Sequence, residues 1–143
     1  MPLARCALFV VFFWFGGLKV FATSPANPLV AALLGRTLPF LTFEEFITRL
    51  GEFEMLIGVA FLIPGLERLA IVLLLPHMVT TFLPLVLLPQ VTWQGFLTLT
   101  LEGQYIIKNV LIIALACAIM ADLSPWRERA LAPARDANRD NPS

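Results

Sequence analysis

Long apolar runs broken by short polar turns set the pattern of this chain, and they predict helices that cross a bilayer. Cys6 to Leu18 carries no charge, and Lys19 to Ala22 extends it to near the minimum length of a span. A cleaved signal peptide competes for this segment, with Arg5 as its basic start and Val20-Phe21-Ala22 as a cleavage site. The bulky Trp14-Phe15 and a lysine so close to that site favour a retained helix. Leu69 to Pro89 and Tyr105 to Asp122 predict two further spans. Pro76 and Pro84 interrupt the first of these, and Thr80 and Thr81 are placed to help satisfy the carbonyls that the prolines free.

Thr42-Phe43-Glu44-Glu45 is a capping-box pattern, with Thr42 as N-cap and Glu45 three residues on. The helix it opens should run to about Ile63, where Pro64-Gly65 stops it. Its first turns are amphipathic: Glu45, Thr48, Arg49 and Glu52 share one face, while Phe43, Ile47, Leu50, Ile57 and Phe61 share the other. Only Glu67-Arg68 interrupts the turn to the next apolar run, so these two helices should form an antiparallel hairpin. Asn27-Pro28 reads as an N-cap with proline at the first helical position. Leu29 to Leu34 then forms a short helix ended by Gly35, too short to span and placed in the interface or packed re-entrantly. Gln90 to Gly103 stays open between a short strand and an interfacial loop. The expected fold is an all-α, four-helix transmembrane bundle over residues 1–124, with a short extra helix after the first span. Residues 125–143, rich in Arg, Asp, Pro and Asn, form a polar tail.

With four spans, Arg5, Arg68, Arg127, Arg129, Arg135 and Arg139 share one side, against Arg36 and Arg49 opposite. Positive-inside then places both termini in the cytoplasm. Composition agrees with lipid as the solvent. The 143 residues are 59% hydrophobic and 14% charged, whereas soluble domains hold about 25% charged residues. Zero net charge gives no sign of nucleic acid as a partner. Cys6 and Cys117 are far apart and are expected to stay reduced near cytoplasmic helix ends.

Ionisable groups inside spans are costly, which makes each a functional hypothesis. Lys19, Glu54, His77 and Lys108 qualify. At 1.5 Å per residue the lysines lie roughly 21 Å from the cytoplasmic end, Glu54 about 15 Å and His77 about 12 Å. These depths allow one connected polar cluster. Glu54 leaves the polar face of its helix and falls between Gly51 and Gly58, with Gly65 a heptad further, on a row suited to close helix approach. Ala70, Leu73, His77, Thr81 and Pro84 form the stripe of the third span expected to face the interior. Structural readings stand beside the functional ones. The lysines can snorkel, Glu54 can form a structural ion pair, and His77 can bond a carbonyl freed by a proline. No nucleophile with an adjacent base, phosphate loop or metal-spaced cluster is legible, so no catalytic residue and no metal is assigned.

Trp14-Phe15-Gly16-Gly17-Leu18-Lys19, Ser24-Pro25, Gly51-x-x-Glu54-x-x-x-Gly58 and Glu102-Gly103-Gln104-Tyr105-Ile106-Ile107-Lys108-Asn109 resemble the DoxX-like superfamily of small four-helix bacterial membrane proteins. Similarity is greatest to the branch that includes inner-membrane proteins of the reactive-chlorine stress response, and it covers roughly residues 10–122. The resemblance implies a multi-pass protein of the bacterial cytoplasmic membrane, linked to redox or stress metabolism. Lys19, Glu54 and Lys108 match pattern positions, Tyr105 and Asn109 flank the last of them, and His77 comes from the helical phase alone. Two functions follow. In the first, the Lys/Glu/His cluster holds a lipophilic ligand such as a quinone, with no intrinsic cofactor, as in the membrane subunit of a quinone-linked oxidoreductase. In the second, the protein is a non-catalytic structural or assembly subunit, partnered by lipid and by other membrane subunits or its own copies. A small exporter or carrier is a third reading, which would need a dimer to make a pathway.

Overall fold

The computed structural model describes residues 2–21 and 23–123; the polar tail assigned to 125–143 lies outside the described residues. Three helices, α1 (Pro2–Val20), α4 (Glu67–Leu87) and α6 (Leu101–Leu123), are long and apolar enough to cross a membrane. Helix α3 (Phe43–Leu62) matches them in length but carries Glu44, Glu45, Arg49, Glu52 and Glu54. Shorter elements fill the connections: α2 (Asn27–Thr37), α5 (Pro89–Thr92) and a two-stranded antiparallel hairpin, β1 (Trp93–Gly95) with β2 (Thr98–Leu99).

Helices α1 and α3 run antiparallel in close contact. A Cβ on Gly16 would lie 2.6 Å from the Gly51 carbonyl oxygen, and one on Gly51 would lie 2.6 Å from the Gly16 carbonyl. Backbone meets backbone there, which only glycine permits. Gly58 faces the Phe9–Phe13 turn of α1 in the same way. Gly65 does not continue this row. It sits past the end of α3 at φ +95°, a left-handed conformation that lets the chain reverse into α4.

The core gathers Leu8 and Phe12 from α1, Ile57, Ala60 and Phe61 from α3, Ala70, Ile71, Leu74 and Met78 from α4, and Ala116 and Ile119 from α6. It therefore fills the end of the bundle that holds the α3–α4 turn. Arg5 locks that end: its Nε and Nη2 donate to the carbonyls of Phe61 and Leu62 at 2.9 and 3.1 Å. Its Nη1 lies 2.8 Å from Glu67 Oε1, while Oε2 of Glu67 accepts the Gly65 N–H. One guanidinium thus satisfies two of the orphan carbonyls at the end of α3 and ties α1 to the start of α4.

Several local expectations need correction. α2 starts at Asn27 with Ala26 as N-cap and continues through Gly35 to Thr37. Pro28 still lies in its first turn, but the Ser24 hydroxyl, not Asn27, accepts an N–H at the start, that of Ala26. Thr42 is the N-cap of α3, yet its hydroxyl donates to Glu45 Oε2 instead of accepting a backbone N–H. The segment left open between strand and loop contains α5, the hairpin and the first turn of α6. The hairpin's tip carries Phe96, 94% exposed, and Leu97 at φ +55°. The indole of Trp93 donates to the Leu85 carbonyl at 3.0 Å, closing the last turn of α4 against the hairpin.

Candidate functional site

Helix phase decides which charges meet. Lys19 is level with Gly51, since its Cβ lies 3.0 Å from where a Gly51 Cβ would be. Glu54 is one turn further along α3 toward the core. Helical side chains lean toward their own N-terminus, so Lys19, in the last turn of α1, leans in that same direction. Its Nζ donates to Glu54 Oε2 at 2.5 Å. The other carboxylate oxygen, Oε1, lies 3.3 Å from His77 Nε2. His77 stands at the midpoint of α4, on the interior stripe with Ala70 and Pro84. Lys19, Glu54 and His77 are 7%, 5% and 6% exposed, so the triad is sealed from solvent.

The triad lies directly over the apolar core. Phe12 meets the imidazole edge-on with centroids 5.6 Å apart, and Phe53 tilts toward it at 6.2 Å. Below His77, the hydroxyls of Thr80 and Thr81 both donate to its backbone carbonyl at 2.8 Å. The carbonyls that Pro76 and Pro84 deprive of a helical N–H belong to Val72 and Thr80, so these threonines do not serve the role expected of them. They polarise the backbone of His77 instead. The imidazole Nδ1 is buried and has no hydrogen-bond partner among the described residues.

Lys108, Tyr105 and Asn109 stand apart from this triad. On α6 the packed residues are Gly103, Ile106, Ala116 and Ile119. Lys108 follows Ile106 by two residues, about 200° around the helix, and so projects from the opposite, exposed face. Its Nζ lies 5.1 Å from the centre of the Tyr105 ring. Asn109 donates within its own helix to the Tyr105 carbonyl at 3.2 Å. Among the described residues no group of three or more His, Cys, Asp or Glu could hold a metal ion. A cavity of about 180 Å³, lined by Pro2, Arg5, Cys6, Leu62 and Pro64, lies beside the Arg5 clamp at the far end of the core.

Sequence reasoning missed the Arg5–Glu67 pair and the aromatic wall of Phe12 and Phe53. The first was legible as opposite charges on the same side of the expected bundle. The second needed the α1–α3 register. Fold and site together define an α-helical protein with membrane-length helices and a buried Lys–Glu–His triad. No protein-family model, no curated protein and no solved structure matches the chain.

Proposed function

We propose that this is a four-span, DoxX-like protein of a bacterial cytoplasmic membrane, and that its Lys19–Glu54–His77 triad recognises the polar head of a lipophilic ligand of the quinone type. The observation that carries this reading is the unpartnered, buried Nδ1 of His77, at the end of a chain of otherwise satisfied charges. A buried polar atom left unpaired costs about 1–3 kcal/mol, and a ligand hydrogen bond would remove that cost. The ring oxygens of that ligand class form hydrogen bonds, and Nδ1 is the one imidazole nitrogen still open to one.

Support for α3 as the fourth span comes from its twenty residues, about 30 Å of helix, and from the pairing of its mid-helix charges, Glu54 with Lys19 and Glu52 with Arg49. Both termini then face the cytoplasm. A second reading, a structural subunit of a larger membrane complex, is favoured by one observation. The Gly16–Gly51 contact leaves no room for a head group between α1 and α3 at that level, so any ligand must come from the α4 side. Native mass spectrometry from lipid nanodiscs separates the two. A lipophilic ligand held stoichiometrically by the wild type and lost in Glu54→Gln and His77→Phe supports the ligand site. Stable partner proteins without any small ligand, retained in both variants, overturn it.

A further inference from the structure

The ligand's chemistry can be narrowed further, on the strength of the reading just given. An ionised carboxylate only accepts hydrogen bonds. Glu54 Oε2 takes the Lys19 ammonium, and Oε1 faces His77 Nε2, so Nε2 must carry a proton. One cation and one anion already balance within the triad. A second cation on His77 would leave a net charge against Phe12, Phe53 and the apolar core, an arrangement that buried sites avoid. The imidazole is therefore neutral, with Nε2 as its donor and Nδ1 as a bare acceptor. What Nδ1 lacks is a hydrogen-bond donor.

We infer that the site selects a hydroxyl-bearing aromatic head, a hydroquinone in preference to the corresponding quinone, with the ligand's O–H donating to Nδ1 of His77. A quinone carbonyl is itself an acceptor and meets a lone pair there. The Phe12 and Phe53 rings beside the imidazole are surfaces on which a planar aromatic head can pack. Lys19 does not compete for that oxygen, because its ammonium is held by Glu54.

The test uses the full chain in lipid nanodiscs under anaerobic conditions, with three probes of one ring size: a short-chain benzohydroquinone, its benzoquinone, and the hydroquinone's dimethyl ether. The ether keeps the ring and both oxygens but replaces each O–H by O–CH3, while the quinone removes the donor without added bulk. Binding of each is measured by calorimetry on wild type and His77→Phe. The hydroquinone should bind at least about tenfold more tightly than either of the others, and this advantage should vanish in His77→Phe. If that variant does not fold, the comparison among the three probes on wild type still decides. Quinone or ether binding as tight as the hydroquinone, with loss in the variant, overturns the donor requirement and leaves the site reading intact. No binding of any probe, or a hydroquinone preference unchanged in His77→Phe, overturns the site reading and this inference with it.

Discussion

Nζ of Lys19 and Oε2 of Glu54 are 2.5 Å apart, joining the last turn of α1 to the middle of α3 across a glycine contact. The pair is possible because the helices run antiparallel and Gly16 and Gly51 bring their backbones together. Lysine near the end of a span commonly snorkels to the surface. Here the lean of the side chain and the direction of α1 carry it inward instead. Lys108 shows the contrast. It lies in the N-terminal half of α6, so its lean is toward that helix's own start, and it meets the Tyr105 ring on an exposed face.

The buried pair predicts strong coupling. Lys19→Met or Glu54→Met alone strands a charge and should cost about 3–5 kcal/mol of stability. The double variant should recover most of that loss. Unfolding midpoints in detergent, run as a double-mutant cycle, would expose additive losses if the two residues did not interact.

Glycine spacing makes a separate prediction. Gly51→Val places side-chain carbon against the Gly16 carbonyl, and should destabilise the protein by about 1–3 kcal/mol or more through overpacking. Gly17→Ala meets nothing within 4 Å and should be neutral, or stabilising by up to about 1 kcal/mol through helix propensity. Equal losses in both variants would show that the α1–α3 register is wrong.

Lys108→Met should leave both the triad and the ligand proposed for it untouched, because Lys108 projects from the unpacked face of α6. Lys19→Met should abolish ligand retention under the same conditions. Nanodisc mass spectrometry reads both at once, and loss of ligand in Lys108→Met would place that residue in the site after all.

Four spans with cytoplasmic termini require Arg68 and Phe96 to lie on opposite sides of the membrane. In a background lacking Cys6 and Cys117, Arg68→Cys should react with an impermeant maleimide only from the cytoplasmic side, and Phe96→Cys only from the other. Labelling of both from one side would reduce the number of spans.

Much of the helical framework was legible in the sequence, because an apolar run long enough to cross a bilayer has few other stable forms. The phase of Glu54 relative to Gly51 and Gly58, and the inward stripe through His77, were also readable, since helical periodicity is a local property. Local turn chemistry was less so. Ser24 rather than Asn27 accepts the first N–H near α2, and Thr80 and Thr81 choose the His77 carbonyl, because several nearby groups competed on nearly equal terms.

Sequence alone determined an apolar helical chain with four misplaced ionisable groups, since hydrophobic runs and the cost of buried charge depend on residue type. Only the tertiary structure decided which of those groups meet. Depth along a helix left Lys19 and Lys108 equivalent as partners for Glu54. The rotation of each helix about its axis separated them, and that rotation is set by packing: the glycine contact that turns Lys19 toward α3, and the Ile106 side of α6 that turns Lys108 away.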